Sequence, residues 1–173
     1  MALYRTAAHT PEAGMKSRLL HEDDGQRTFA LIFETGDELM DQLERFAAQE
    51  RVAGAQFTAI GAFREVTLGY FDWETKKYID RRLAEQVEVA SLTGDIALGP
   101  DGAPAIHVHC VLGRRDYSAV AGHLLAATIR PTLELVLVES PVHLRKRHDR
   151  QSGLALIDLG ASGTRVTTRE RAG

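Results

Sequence analysis

The hydrophobic positions of the chain recur mainly with the period of two that is typical of β-strands. Strand-length runs bounded by turn residues cover residues 15–22, 28–34, 55–60, 65–71, 77–82, 86–93, 105–112, 132–139 and 153–158. The sequence Asp23-Asp24-Gly25 separates the first two runs and predicts a hairpin between them. The pattern therefore indicates a protein built mostly from antiparallel sheet.

One segment, at about residues 37–50, has the spacing of an amphipathic helix instead. Its apolar stripe consists of Leu39, Leu43, Phe46 and Ala47. Thr35, followed three residues later by Glu38, matches a capping box at the start of this helix. A second, short helical turn is predicted near residues 121–127, after a turn that begins at Ser118.

These elements predict a single α+β domain over residues 15–160. Residues 1–14 are predicted to form a flexible N-terminal arm, and residues 161–173 a polar C-terminal tail. No internal repeat or linker divides the chain.

Composition and charge exclude several classes to which the protein could otherwise belong. The 173 residues are 44% hydrophobic and 26% charged, which is ordinary for a soluble globular protein. A net charge of −3 argues against binding of nucleic acid by bulk charge, although residues 144–150 form a local basic run. The single cysteine excludes an intramolecular disulfide and a thiolate zinc site. No secretory signal or membrane span is recognisable, so a cytoplasmic location is predicted.

Three histidines are the strongest candidates for chemistry. His107 and His109 occupy positions i and i+2 of one predicted strand, so both point to the same face. His123 follows a chain reversal and can fold back toward them. Three imidazoles would hold a divalent metal and leave an open position for water or a small ligand; zinc is favoured, and iron, nickel and copper also fit. Cys110 points to the opposite face and is predicted to be a buried apolar residue.

Glu134 is a candidate catalytic residue on another alternating strand. It faces away from Leu133 and Leu135, so its carboxylate is either exposed or paired with a charged group. Near the histidines it would orient an imidazole or act as a general base. The purely structural alternative stays open.

Several segments together resemble the PPC domain, a domain conserved between plants and prokaryotes. The closest resemblance is at residues 102–109, 121–124 and 132–134, with further similarity at residues 59–63, 68–72, 87–94, 147–149 and 152–154. It covers about residues 17–159 of the chain. Arg147 matches the family pattern, which makes it a second candidate site residue, for an ion pair or for anion binding.

The resemblance implies an α+β fold that assembles as a homotrimer. In plants the domain accompanies an AT-hook in nuclear DNA-binding proteins, and prokaryotic members are often labelled as predicted DNA-binding proteins. This chain has no Arg-Gly-Arg-Pro AT-hook, and it has the three histidines that plant members generally lack. It is therefore expected to be a stand-alone prokaryotic member.

Three hypotheses about function follow. In the first, the protein binds a divalent metal and a small-molecule ligand, with its chemistry and any enzymatic activity left open. In the second, it is a DNA-associated regulatory protein that uses arginines such as Arg81, Arg82, Arg114 and Arg115. In the third, it is a non-catalytic trimeric binding module with a structural metal. No membrane partner is expected.

Overall fold

The computed structural model describes residues 14–163 of the chain. These residues form one helix, α1 (Leu39–Glu50), and the strands β1 (Lys16–Asp23), β2 (Gln26–Glu34), β3 (Gly54–Asp72), β4 (Lys77–Leu83), β5 (Val87–Leu98), β6 (Pro104–Gly113), β7 (Ala119–Glu139), β8 (Lys146–His148) and β9 (Ala155–Ile157). All paired strands are antiparallel. The predicted α+β class with a mostly antiparallel sheet is therefore confirmed.

Two long strands close part of the sheet into a ring. Strand β3 pairs with β7 along two stretches, residues 55–61 with 133–139 and residues 63–69 with 123–129. Strand β3 also pairs with β5, β5 with β6, and β6 with the beginning of β7. Buried and exposed residues alternate along much of these strands, so that the ring β3–β5–β6–β7 has a buried, mostly apolar inner face and an exposed outer face.

Helix α1 covers the inner side of the sheet beside this ring. The four residues of its predicted apolar stripe are all buried, which confirms the amphipathic helix. The ring of Phe46 meets the ring of Phe29 on β2 edge to face, with 5.2 Å between centroids. On the opposite side of the same strands no helix covers the sheet within the described residues, and Ile32, Ile60 and Val136 are exposed there.

The short helical turn predicted near residues 121–127 is wrong, because these residues lie inside β7. Thr67 pairs with Ala126 and Leu68 pairs with Leu124, which leaves Leu125 as an extra residue in the ladder. The bulge makes Leu124 and Ala127 both face the core. Two buried residues three positions apart have the spacing of a helix, so this part of β7 lacks the alternation of a regular strand.

The predicted capping box is also wrong in detail. The N-cap of α1 is Glu38, and no side chain caps the helix. The hydroxyl of Thr35 instead donates to the carbonyl of Pro131, and the carboxylate of Glu38 accepts a hydrogen bond of 2.5 Å from Thr128. Both side chains therefore tie the start of the helix to β7.

The structure describes only a small part of the predicted N-terminal arm and C-terminal tail. Ser162 accepts a hydrogen bond from the backbone N–H of Arg145, and Gly163 donates one to the carbonyl of His143. Residues 1–13 and 164–173, which hold most of the predicted arm and tail, lie outside the described residues. Among residues 14–163, no helix is long and apolar enough to cross a membrane. The cytoplasmic location stays a prediction.

Candidate metal centre

The three histidines meet on the outer face of the ring. His107 and His109 project from β6 on the same side, as their spacing predicted, and both are exposed. His109 is the direct cross-strand partner of His123 on β7. Side chains of such a pair are neighbours. His109 therefore lies between one histidine along its own strand and one across the ladder.

The imidazole nitrogens converge closely enough to share one ion. One nitrogen from each ring can be chosen so that all three lie within 4.8 Å of one another. Nε2 of His107 and Nε2 of His109 are 3.1 Å apart. Two nitrogens on one tetrahedral zinc lie about 3.3 Å apart, because each zinc–nitrogen distance is about 2.0–2.1 Å. The cluster therefore has nearly the required dimensions.

A carboxylate stands behind one of the imidazoles. Asp95 on β5 is the cross-strand partner of His107, and its Oδ2 lies 3.3 Å from Nδ1 of His107. In the tautomer that carries its proton on Nδ1, His107 donates to this carboxylate, and the lone pair of Nε2 is then directed at the cluster. The other oxygen of Asp95 lies 2.9 Å from Nζ of the buried Lys146. Asp95 therefore contacts both His107, a candidate metal ligand, and the buried ammonium group of Lys146.

The electrostatic environment keeps two of the rings neutral. Burial, together with the charges of His107, His109 and Lys146, lowers the pKa of His123 to about 4. Burial and the neighbouring His107 also lower the pKa of His109. Although burial raises it, the pKa of Asp95 is lowered overall by hydrogen bonds from His107 and Lys146. Neutral imidazoles beside an ionised carboxylate are the protonation states that metal binding requires.

Cys110 takes no part in this cluster. It is buried on the inner face of β6, as strand parity predicted, and burial raises the pKa of its thiol to about 11. The thiolate that a metal would need is therefore disfavoured.

The two catalytic candidates lie away from the histidines of the same chain. Glu134 is exposed beside Ile32 and Ile60, in a separate cleft on the outer face. Three strand spacings, about 14 Å, separate its part of β7 from β6. Arg147 is exposed, and its Nε lies 3.3 Å from Oδ2 of Asp158. A role for either residue in chemistry stays a prediction, and within one chain neither contacts the cluster.

Sequence reasoning missed two residues that support the site. Asp95 falls two residues beyond the predicted end of its strand, at Thr93, whereas β5 continues to Leu98. Lys146 belongs to the basic run at residues 144–150, where exposed side chains are expected, yet its side chain is only 7% exposed. Extending the alternation of β5 through Thr93 and Asp95 would have placed this carboxylate on the histidine face.

The residues present fit a bound metal ion. Nδ1 of His123 is buried and has no hydrogen-bond partner within the described part of the chain. A polar atom in that state costs free energy unless another group satisfies it. Three nitrogen donors, one of them oriented by a carboxylate, also form a donor set typical of zinc.

Solved structures of several microbial proteins resemble the whole fold. A "putative DNA-binding protein" from Bacteroides thetaiotaomicron matches with a TM-score of 0.76 and 28% identity over 83% of this chain and 98% of its own. A metal-containing protein from Archaeoglobus fulgidus is 33% identical, with a TM-score of 0.70 over 75% of this chain and 91% of its own. A plant- and prokaryote-conserved (PPC) protein from Pyrococcus horikoshii is 26% identical, with a TM-score of 0.71 over 83% and 94%.

The sequence itself also identifies the family. No functionally curated protein has detectable sequence similarity to the chain. The model of the Plants and Prokaryotes Conserved (PCC, or PPC) domain matches residues 20–141, which include all three histidines, Asp95 and Glu134. This match agrees with the resemblance carried by the histidine and glycine motifs. The chain belongs to the Plants and Prokaryotes Conserved domain family.

Proposed function

We propose that the protein binds one divalent transition-metal ion, preferably zinc, and offers a coordination position on it to a small ligand. His107, His109 and His123 would hold the ion. The observation that carries this proposal is the convergence of their three nitrogens within 4.8 Å on an open face of the sheet. The metal-containing protein from Archaeoglobus fulgidus, at 33% identity, supports it.

The neighbouring residues suit a site that admits a ligand. A divalent ion with an open position supplies a Lewis acid that polarises an oxygen-containing ligand. A cleft of about 560 Å³ opens beside His107 and His109, with Thr58 and Thr93 among its lining residues. Asp95 orients the His107 ring, so that the ligand set is prearranged rather than assembled on binding.

Elemental analysis of untagged protein tests the proposal, because a histidine tag would itself bring metal. We expect close to one zinc per chain after purification without chelator. Metal-free protein that also fails to take up added zinc would refute the proposal. If the ion were structural only, as in the non-catalytic alternative, chelation would lower the melting temperature and no small molecule would bind.

We predict that Asp95→Ala weakens zinc binding about 10- to 100-fold, the range for losing a partner that orients a metal-bound imidazole. Asp95→Asn should lose less, because its amide oxygen still accepts from Nδ1 of His107. Competition with a zinc-binding dye measures the affinity. Asp41→Ala removes an exposed carboxylate on α1 and should leave the affinity unchanged. Equal affinity in Asp95→Ala and wild type would remove Asp95 from the site.

We also propose that the protein assembles as a homotrimer through the outer face of its sheet. Ile32, Ile60 and Val136 are 36%, 62% and 46% exposed on neighbouring strands, which is an unusual concentration of apolar side chains on an open face. The number of subunits, three, is what the family resemblance implies.

Light scattering should show about three times the chain mass of 19.0 kDa. Ile60→Glu should reduce this mass, whereas Tyr117→Glu, in an exposed turn, should not. A monomeric wild type would contradict the proposal.

The DNA-associated alternative is less well supported by the surface. Two of its candidate arginines are already paired with carboxylates, Arg82 with Glu65 and Arg114 with Glu85. Arg147 in the basic run is likewise paired with Asp158. We therefore predict no shift of duplex DNA by micromolar protein at physiological salt. Binding that weakened steeply with added salt would instead indicate a phosphate-binding surface and would favour this alternative.

A further inference from the structure

A second cleft, of about 380 Å³, reaches the histidine cluster from the side of β8 and β9. Its lining has two distinct parts. One part is polar and consists of His107, His123 and Lys146 together with Asp95, and the other is apolar and consists of Leu154, Leu156 and Ile157 together with Ile106. This volume lies within the range of sites for small organic ligands. A molecule in this cleft would contact the metal-binding residues and an apolar wall at the same time.

Lys146 places a buried positive charge in the polar part of the cleft. Its side chain is 93% buried, since only 7% of it is exposed. Nζ lies 2.9 Å from Oδ1 of Asp95 and 3.3 Å from the carbonyl oxygen of Ala105. An ammonium group has three N–H donors, and among residues 14–163 no acceptor takes the third. A buried cation with an unused donor on the wall of a cleft is a ready partner for an anion.

The charge balance of the site favours the same ligand class. Asp95 compensates the charge of Lys146, and imidazole rings coordinate a metal in their neutral form. The two charges of a bound divalent ion therefore remain uncompensated by the described residues around it. An anionic group placed between the ion and Lys146 would reduce this excess of positive charge.

The apolar part argues for an organic body rather than a bare inorganic ion. Leu156 and Ile157 on β9 are 47% and 41% exposed, so a ligand would remove apolar surface from water. Tyr78 also lines the cleft beside His123, and its ring lies 4.8 Å from the imidazole, centroid to centroid, at an interplanar angle of 31°.

We propose that this cleft binds a small organic anion, whose carboxylate or phosphate lies beside Lys146 and the ion while its apolar body contacts Leu154, Leu156 and Ile157. The inference rests on the proposed metal site. It adds the ligand class, and it assigns Lys146 to recognition of the anionic group.

Calorimetry on zinc-loaded, untagged protein tests the ligand class with three probes of equal chain length. Hexanoate and hexyl phosphate represent the two sources of negative charge, and hexanamide is the neutral control. We expect at least one anion to bind about tenfold or more tightly than hexanamide, the effect of a charge-assisted hydrogen bond. Equal binding of all three probes, or binding of none, would overturn the inference.

Variants assign the effect to the cleft. Lys146→Met should weaken binding of the preferred anion about tenfold or more when wild type and variant are both saturated with zinc. The double variant Asp95→Asn/Lys146→Met removes both charges of the buried pair together, so it avoids an uncompensated carboxylate. Measured at saturating zinc, because Asp95→Asn itself weakens zinc binding, it should show the same loss of anion binding. Lys16→Met is the matched control, because Lys16 forms an exposed ion pair with Glu34 on β1 and β2.

The outcomes separate this inference from the proposed function. Wild-type protein that is purified without zinc and takes up no added zinc refutes both. Zinc-loaded protein that binds no anion, or that binds it equally well after loss of Lys146, refutes only the ligand class and leaves the metal site standing.

Discussion

His109→Ala should abolish metal binding while leaving the fold intact. His109 is the central member of the cluster, since its Nε2 lies 3.1 Å from Nε2 of His107 and its strand position is opposite His123. Without it, only the imidazoles of His107 and His123 remain. They lie on different strands, and His107 is two residues away from the position opposite His123. We expect zinc affinity to fall by more than the roughly 100-fold that losing an outer hydrogen-bond partner can cost.

The fold should tolerate this substitution because the His109 side chain is exposed. Exposed substitutions usually change the free energy of unfolding by about 0.5 kcal/mol or less. Zinc per chain by mass spectrometry and the circular dichroism spectrum should be measured on the same untagged sample. His148→Ala removes an exposed histidine outside the cluster and should keep the wild-type zinc content. Retention of zinc by His109→Ala would show that the ion is held elsewhere.

The face that carries His107 and His109 was predictable from the sequence because it depends on local geometry. Alternation along β6 places His107 and His109 together and Cys110 on the opposite face, and the structure confirms both statements. His123 was assigned to the right cluster but to the wrong element. The bulge at Leu125 changes the spacing of buried residues, and no local pattern distinguishes such a bulge from a helical turn.

The supporting residues depend on contacts between distant parts of the chain. Asp95 reaches His107 only because β5 and β6 pair in one particular register, and Lys146 reaches Asp95 from a strand 51 positions later. A lysine in a basic run carries no local signal of burial. The sequence therefore predicts the ligand candidates, whereas the buried pair behind them follows from the three-dimensional pairing.

Gly61→Ala should be the most destabilising small substitution in the sheet. Gly61 lies where β3 pairs with Val89 on one side and Leu133 on the other, and its φ of +150° is rarely adopted by residues with a side chain. A Cβ here would overlap the carbonyl oxygen of Thr132 and lie 2.7 Å from Cα of Leu133. Both obstacles are backbone atoms, so a side-chain rotation cannot relieve them. Strain and overpacking together should cost about 2–5 kcal/mol.

Gly102→Ala separates the two causes of this loss. Gly102 also has a positive φ, of +83°, but an added Cβ there meets no atom within 4 Å. Its cost should therefore be the conformational strain alone, about 1–2 kcal/mol. Denaturant unfolding measures the free energy of unfolding of both variants, and equal losses of this free energy would show that the approach of β3 to β7 is not tight.

Because Gly61 contacts none of the three histidines, the folded fraction of Gly61→Ala should still bind about one zinc per chain. Loss of zinc from that folded fraction would mean that closure of the ring, rather than the local pairing of β6 and β7, positions His123.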